Sequence, residues 1–422
     1  MTLVRRAEGR ARDGLALGAA NAAGALIILG RNILIARMVS VEEFGIAGTL
    51  AIAVTLIEAA TNLSIDRYAI RASAGVRRRG VATLHAVQAA RGLVGAVLIL
   101  LFAAAYARMM GVPHLSGSYQ LLALVPLLRG LMHLDIQRAQ RQMAFLPLIS
   151  TTLSSQIASL ATGVALAVWT GDHRAMLAAI ILQQAVQTGV SHLIARRVWS
   201  AAIDVDVLGD ALRFGWPLLL NGLVMFATLQ GDQLLVGGAF GVEVLGWFAV
   251  AFTLTLVPAT IYANTLQSLL LPKVARARAR PAAFASSVRQ VMALSLVGGA
   301  VFAIVMGAFG PTLSLWLFGP RYVEAATVLP WLAVIQGLRI VRAGPAILSI
   351  ADGRTKEPLL ANLVRLAALP AAAGAVALGG DLMAVVSAAL AAEILALATA
   401  VALFARRYPH VIWSPWRELS RG

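Results

Sequence analysis

Apolar runs of about 20 residues, each carrying few charges, follow one another from end to end of this 422-residue chain. A run of that length crosses the ~30 Å hydrocarbon core of a bilayer as one helix. The pattern predicts about twelve spans, near residues 14–37, 43–64, 82–107, 118–136, 144–169, 174–194, 213–236, 243–270, 284–309, 323–349, 357–378 and 382–405. The polar stretches between them stay under about 20 residues, too short to fold as domains of their own. After a basic segment with Arg5, Arg6, Arg10 and Arg12, the first apolar run continues into Arg31 and Arg37. A signal peptide has a shorter apolar core and a small-residue cleavage site, so this run is expected to stay as the first span. The fold class expected is an all-α integral membrane protein.

The first two spans recur about 201 residues later. Gly30-Arg31-Asn32-Ile33-Leu34 falls on Gly231-Asp232-Gln233-Leu234-Leu235, Val41-Glu42 on Val242-Glu243, and Gly45 on Gly246. A second match, at an offset of 204, lays Pro126 on Pro330, Asp135 on Arg339, Ile136 on Ile340 and Arg138-Ala139 on Arg342-Ala343. The small drift in offset is what changes in loop length produce. Two six-helix lobes are therefore expected, residues 1–200 and 201–422, joined by the segment 195–212 with Asp204, Asp206 and Asp210. An even number of spans per half makes the repeat parallel, with its pseudo-twofold axis along the membrane normal and a central cavity between the lobes. Fused halves of one membrane fold are the usual plan of a transporter.

Composition and charge sharpen this picture. At 59% hydrophobic and 13% charged residues the chain is too apolar for a soluble protein of its length. A net charge of +16 would suggest nucleic acid in a soluble domain, but the placement of the charges points elsewhere. Of 35 Lys and Arg residues, 25 lie in one alternate set of inter-span segments and 4 in the other. That split fits the positive-inside rule along the whole chain and puts both termini in the cytoplasm. Arg77-Arg78-Arg79 and the Arg276, Arg278, Arg280 cluster are topology signals first, with lipid-headgroup binding as a second role. Tyr408, Trp413 and Trp416, with Arg406, Arg407 and Arg417, resemble an interfacial anchor. The chain has no cysteine, which excludes disulfides, thiolate metal sites and cysteine nucleophiles.

Six arginines fall inside spans: Arg31, Arg91, Arg129, Arg339, Arg342 and Arg365. A charge in a span interior costs at least about 2.5 kcal/mol on insertion scales, so it faces a wet cavity or a partner. Only Glu58, Asp135, Asp232 and Glu393 oppose them. Pairing, with snorkelling of Arg31, Arg91 and Arg342 toward nearby interfaces, explains part of the set. Arg129 and Arg365, far from span ends, fit that explanation least. The surplus suits a cavity for an anionic headgroup, because guanidinium forks match phosphate oxygens.

The seventh span carries Asn221, Met225, Thr228 and Asp232 on one helical face, and the first carries Asn21, Ile28 and Asn32 at matching spacing. Such faces would suit a central site, and they would equally suit hydrogen bonds between helices. Further polar stripes (Thr151, Ser154, Ser155, Ser159; Gln184, Gln187, Thr188, Ser191; Tyr262, Asn264, Gln267) could meet sugars or backbone carbonyls. Pro126, Pro217, Pro258, Pro330 and Pro345 permit kinks of use in alternating access.

Catalytic signatures are few. Asp204-Val205-Asp206 has a D-x-D form but lies in a short loop with no nucleotide-binding domain beside it. There is no phosphate-binding Gly-Lys-Ser/Thr loop and no H-E-x-x-H, and the six histidines (His85, His114, His133, His173, His192, His410) lack metal-ligand spacing. No enzyme activity, metal or cofactor is expected.

Several stretches carry a family resemblance. Gly30-Arg31-Asn32-Ile33-Leu34-Ile35-Ala36-Arg37-Met38 with Val41-Glu42-Glu43-Phe44-Gly45 resembles the ARLL-x-P-E-E-F-G opening of bacterial polysaccharide and O-antigen flippases. These belong to the multidrug/oligosaccharidyl-lipid/polysaccharide exporter superfamily. Asn62-Leu63-Ser64-Ile65-Asp66-Arg67-Tyr68-Ala69-Ile70-Arg71 is similar to that family's end of span two, and Ile136-Gln137-Arg138-Ala139-Gln140-Arg141-Gln142-Met143-Ala144-Phe145 to its basic segment before span five. Phe214-Gly215-Trp216-Pro217 and Gly231-Asp232-Gln233-Leu234-Leu235-Val236 fit its second-half opening. Val41 stands where the family often has Pro, and Asn62-Leu63-Ser64 replaces an Asp-Leu-Gly-like pattern, which leaves the subfamily open.

The resemblance implies two six-helix lobes around a cavity, in the bacterial inner membrane. It implies an undecaprenyl-pyrophosphate-linked oligosaccharide, such as a polysaccharide or O-antigen repeat unit, flipped between leaflets by alternating access. Headgroup contacts would fall to Arg31, Arg91, Arg129, Arg339, Arg342 and Arg365 with Asn21, Asn32, Asn221 and Thr228. Glu58, Asp232 and Glu393 are candidates for coupling to protons or Na⁺. Expected partners are the lipid-linked oligosaccharide, membrane lipids and the polysaccharide polymerase machinery, with no nucleic acid, and the chain is expected to be a monomer. Two rivals remain within the superfamily. A drug or metabolite antiporter would favour a carboxylate surplus, and a lipid II flippase fourteen spans. A membrane glycan polymerase or ligase would need a long external loop.

Overall fold

The structure, a computed structural model, describes residues 2–71, 78–278, 280–354 and 356–407. Arg77 and the expected anchor at Tyr408, Trp413, Trp416 and Arg417 lie outside these residues. Every element among the described residues is helical. The chain divides into two compact units, Met1–Phe226 with Gly241–Gly246, and Ala227–Phe240 with Trp247–Gly422.

The first unit contains α1 (Thr2–Met38), α2 (Val41–Thr61), α3 (Ile65–Arg71), α4 (Arg78–Met109), α5 (Ser116–Leu121), α6 (Leu124–Gly130), α7 (Asp135–Arg141), α8 (Leu146–Thr170) and α9 (Arg174–Ile194). It also takes the first part of α10 (Val205–Phe240) and the first turn of α11 (Val242–Ala277). Local chemistry sets the boundaries. Ser40 caps α2 by accepting the Glu43 N–H at 3.1 Å, and Asp204 caps α10 by accepting the Val207 N–H at 3.3 Å. Gly171 ends α8 in the left-handed conformation, at φ 66°.

The start of α11 packs on α2. A Cβ on Gly45 would strike the Val242 carbonyl, and one on Gly246 would strike the Val41 carbonyl. Val41 and Val242, and Gly45 and Gly246, are the pairs that the 201-residue repeat puts in register. Equivalent residues therefore meet each other's backbone, an approach that only glycine permits.

Three histidines that look scattered in sequence gather in the first unit. The His85 ring lies 4.9 Å from that of His133, and His133 lies 5.5 Å from His192. His85 Nε2 accepts the Leu134 N–H at 3.1 Å, and His133 Nδ1 accepts the Asp135 N–H at 3.0 Å, so both rings serve as neutral acceptors that seat the start of α7. No group of three or more His, Asp or Glu able to hold a metal occurs among the described residues.

The second unit holds the rest of α10 and α11, then α12 (Pro281–Phe318), α13 (Ala325–Ala351), α14 (Lys356–Leu366), α15 (Ala368–Ala377) and α16 (Leu382–Arg407). Helices α12 and α13 form its most extensive pairing, and α16 packs against α13, α14 and α15. Leu266, Leu270, Val288, Val291, Ile347 and Phe404 form a buried cluster between α11, α12, α13 and α16. Beside it the Asp352 carboxylate, which follows α13, meets Arg278 at 2.8 Å and Arg407 at 3.0 Å.

Eleven helical segments among the described residues are long and apolar enough to cross a membrane, α14 and α15 counting together as one. The twelfth expected span, 118–136, is instead two short helices, α5 and α6, joined by a 3₁₀-like turn in which the Ala123 N–H bonds the Gln120 carbonyl. Pro126, third in α6, has no N–H to continue an α-helical ladder across the break. The same device splits the expected span 357–378 into α14 and α15, where Pro370 is third in α15. By contrast α10 runs unbroken through Pro217, and α13 through Pro330 and Pro345.

Candidate functional site

Four helices of the second unit converge on one polar cluster. Asp232 comes from α10, Arg339 and Arg342 from α13, Asn362 and Arg365 from α14, and Glu393 from α16. Arg365 Nη2 donates to Asp232 Oδ2 at 2.9 Å, and its Nε lies 3.2 Å from Glu393 Oε2. Arg342 Nε donates to the other oxygen of Glu393 at 2.6 Å, and its Nη1 to Asn362 Oδ1 at 2.7 Å. Glu393 is only 1% exposed, so two guanidinium groups hold its charge away from water. Around these groups lies a cavity of about 10 Å³, lined also by Thr228, Phe252, Leu332, Ile335 and Gln336. That is room for about one water molecule.

Arg339 lines the same cavity without a hydrogen bond or ion pair among the described residues. It lies within electrostatic reach of Glu393, Asp232, Arg342 and Arg365. Three guanidinium groups thus face two carboxylates, both already engaged, and one positive charge is left over. Gln336 Oε1 and Arg365 Nη1 are buried beside it with no hydrogen-bond partner among the described residues. An acceptor-rich anion would satisfy the two arginine donors, and a cation would be repelled.

The first unit contains two smaller polar groups. Arg129 pairs with Glu58 through Nη1 and Oε1, and Gln88 Nε2 donates to the Arg129 carbonyl at 3.0 Å. Arg91, on α4, is within reach of Arg129 and Glu58 but makes no hydrogen bond or ion pair among the described residues. Separately, Arg31 donates to Ser159 Oγ at 2.7 Å, Gln183 Oε1 at 3.2 Å and Asn32 Oδ1 at 3.2 Å. Its charge is held by neutral oxygens alone.

The intramembrane set therefore resolves into distinct roles. The two arginines deepest in sequence, Arg129 and Arg365, are paired with carboxylates, and so is Arg342. Asp135 holds none of the six and pairs with Arg138 instead. Thr228, Asp232, Arg339, Arg342, Arg365 and Glu393 come together, and Glu58 joins Arg91 and Arg129. Asn21 and Asn221 are exposed and join none of these groups. Several polar-stripe residues meet backbone: Thr188 donates to the Leu128 carbonyl at 2.8 Å, and Ser159 to the Ala179 carbonyl at 3.0 Å.

Asn362 and Gln336 did not stand out in the sequence, although a signal was present. Asn362 precedes Arg365, and Gln336 precedes Arg339, by three residues, which is one helical face in each case.

A family model described as polysaccharide biosynthesis protein matches residues 34–327, well over half of the chain. The amylovoran biosynthesis protein AmsL of Erwinia amylovora is 22% identical over 192 residues, which is 45% of this chain and 50% of AmsL. The chain thus spans half the length of that relative. Among solved structures, a multidrug resistance MATE family transporter of the MOP superfamily, in an inward-facing conformation, superposes with a TM-score of 0.74. The match covers 92% of this chain and 95% of that one at 12% identity. The lipid II flippase MurJ, in an inward closed conformation, gives 0.69 over 92% and 87% at 13% identity. Likeness at such identity is one of fold. The chain is a multi-pass membrane protein with the fold of these transporters, and it belongs to the polysaccharide biosynthesis protein family.

Proposed function

We propose that the protein is a flippase that moves an undecaprenyl-pyrophosphate-linked oligosaccharide across the bacterial inner membrane by alternating access, with both termini in the cytoplasm. The observation that carries this reading is the unpaired Arg339 in a cluster of three arginines and two carboxylates. A pyrophosphate carries the charge and the acceptor oxygens that this cluster lacks, and guanidinium donors would match its phosphate geometry once alternating access widens a cavity that here has room for about one water. Arg91 and Arg31, neither of which makes an ion pair among the described residues, supply further positive potential in the first unit. A drug antiporter for cations would find a repulsive cluster here.

Ion coupling takes a specific form under this reading. Asp232, Glu393 and Glu58 each already hold a guanidinium. Protonating Asp232 or Glu393 would raise the net charge of the cluster from +1 to +2 and strengthen its hold on an anion. Proton uptake and headgroup binding then favour each other, as linkage requires. The glycan, and any polymerase that receives it, would be read by contacts outside this cluster.

The test is Arg339→Gln expressed in a strain lacking the native gene, with surface polysaccharide and membrane-inserted protein measured together. Loss of polysaccharide at an unchanged protein level is expected. Normal polysaccharide would remove Arg339, and with it the carrying observation.

A further inference from the structure

A second, larger cavity of about 480 Å³ lies wholly in the first unit, between α7, the start of α8 and the segment after α9. One part of its wall is polar: Asp135, Arg138, Gln142, Ser150 and Arg196. The rest is apolar, from Ile136, Leu146, Pro147 and Ile194. Arg138 grips Asp135 with both ends of its guanidinium, through Nε to Oδ1 at 2.5 Å and Nη2 to Oδ2 at 3.1 Å. The same carboxylate accepts the Arg196 backbone N–H at 2.8 Å. Burial raises the Asp135 carboxyl, but the Arg138 hydrogen bond and the Arg196 N–H outweigh it and hold the group below the usual carboxylate range. Asp135 is therefore ionised and fully engaged. Arg196 is left with an exposed guanidinium that makes no hydrogen bond or ion pair among the described residues. The cavity carries one net positive charge.

Its position completes the picture. Arg138, Arg141, Arg196 and Arg197 belong to two of the basic inter-span segments, which the charge distribution assigns to the cytoplasmic face. Leu146, in the apolar wall, is 74% exposed and so presents a large apolar side chain outward from the cavity. A cationic, donor-lined wall next to an apolar wall at the level of the headgroups matches one ligand chemistry, a phosphate carried on a hydrocarbon chain.

We propose that this cavity is a resident-lipid site for an anionic glycerophospholipid of the cytoplasmic leaflet. Its phosphate sits against Arg196 and the free edge of Arg138, and its acyl chains run along Leu146, Pro147 and Ile194. The site is separate from the arginine cluster of the second unit, and it stands whether or not the chain flips a glycan.

The test measures binding, not transport. The full chain in detergent is titrated with phosphatidylglycerol, phosphatidylcholine or inorganic phosphate, and retained ligand is counted by native mass spectrometry. Wild type should retain phosphatidylglycerol in preference to phosphatidylcholine, and Arg196→Gln should weaken it about fivefold, the worth of one arginine near a charged surface. Ala139→Phe, which puts a ring into the cavity and narrows it while keeping its charge, should also weaken retention. Arg196 is exposed, so its variant should melt like wild type and the comparison stays valid even if the narrowed variant does not fold. Equal retention of the two lipids, or unchanged retention in Arg196→Gln, would overturn the proposal. Displacement by inorganic phosphate at the same concentration as lipid would also overturn it, since the apolar wall would then have no role.

Discussion

The Arg365 guanidinium lies 2.9 Å from the Asp232 carboxylate, joining residues 133 positions apart on α14 and α10. Both side chains are buried, and Arg365 also reaches Glu393. Removing one member of such a pair leaves an uncompensated charge in a low-dielectric interior, which costs about 3–5 kcal/mol in proteins generally. Arg365→Gln is therefore expected to lower the melting temperature and the yield of folded protein sharply. Combining it with Asp232→Asn should recover part of the loss, and a double variant no better than the single one would show that the pair contributes little.

Arg339 should behave in the opposite way. Its charge lacks an ion-pair partner, so Arg339→Gln removes a desolvated cation and is expected to leave thermal stability equal to wild type or slightly higher. The same variant should lose transport. Arg339→Lys keeps the charge without the fork and should retain partial activity. Stability that falls with activity in Arg339→Gln would make the residue structural.

Gly45 and Gly246 give a packing test. Each backbone lies where the other's partner carbonyl leaves no room for a methyl group. Gly45→Ala and Gly246→Ala should each destabilise the protein by about 1–3 kcal/mol, the usual cost of overpacking. Gly307 has open space around it, and Gly307→Ala should be neutral or stabilising. Thermal melting of the three variants in one detergent checks the contrast.

Acid should loosen the first unit at its histidine cluster. His133 lies in the turn before α7, outside the candidate spans, and its pKa is lowered from the usual value. Burial is the main cause. Asp135 pulls the other way, and His192 and Arg138 add to the lowering. A histidine whose folded pKa is lowered binds fewer protons folded than unfolded. Its contribution is complete above the unfolded value of about 6.5 and is lost as pH falls from there through the folded value. Protonation of Nδ1 would also put a donor against the Asp135 N–H, and Arg138 nearby opposes the added charge. Melting temperature should drop between neutral and mildly acidic pH. His133→Asn, which keeps an acceptor for Asp135, should flatten that drop, and an unchanged slope would exclude His133 as its source.

Much of the helical plan was legible because span length and apolar content are properties of single segments. The existence of a buried charge set was legible for the same reason, since six arginines in apolar runs need an explanation wherever they sit. Pairing was not. Arg129 and Arg365 looked least suited to partners by depth along their spans, yet Glu58 and Asp232 reach them from helices distant in sequence. The histidine cluster was hidden likewise, because His85, His133 and His192 lie on three segments with no common spacing. The break between α5 and α6 could have been foreseen from Pro126, but α10 and α13 pass through their own prolines unbroken. Whether a proline ends a helix depends on whether neighbouring groups satisfy the freed carbonyl, which no single segment reveals.

The reciprocal contact of Gly45 and Gly246 has a consequence in time. Gly45 emerges from the ribosome 201 residues ahead of Gly246. At roughly 5–20 residues per second, that gap is about 10–40 s of synthesis. Through that interval the small-residue face of α2 must rest against lipid or the insertion machinery in place of its own later copy. A nascent first half arrested before residue 241 is therefore expected to hold α2 less firmly than the finished chain does, because the contact can close only once the second of the two matched segments has been made.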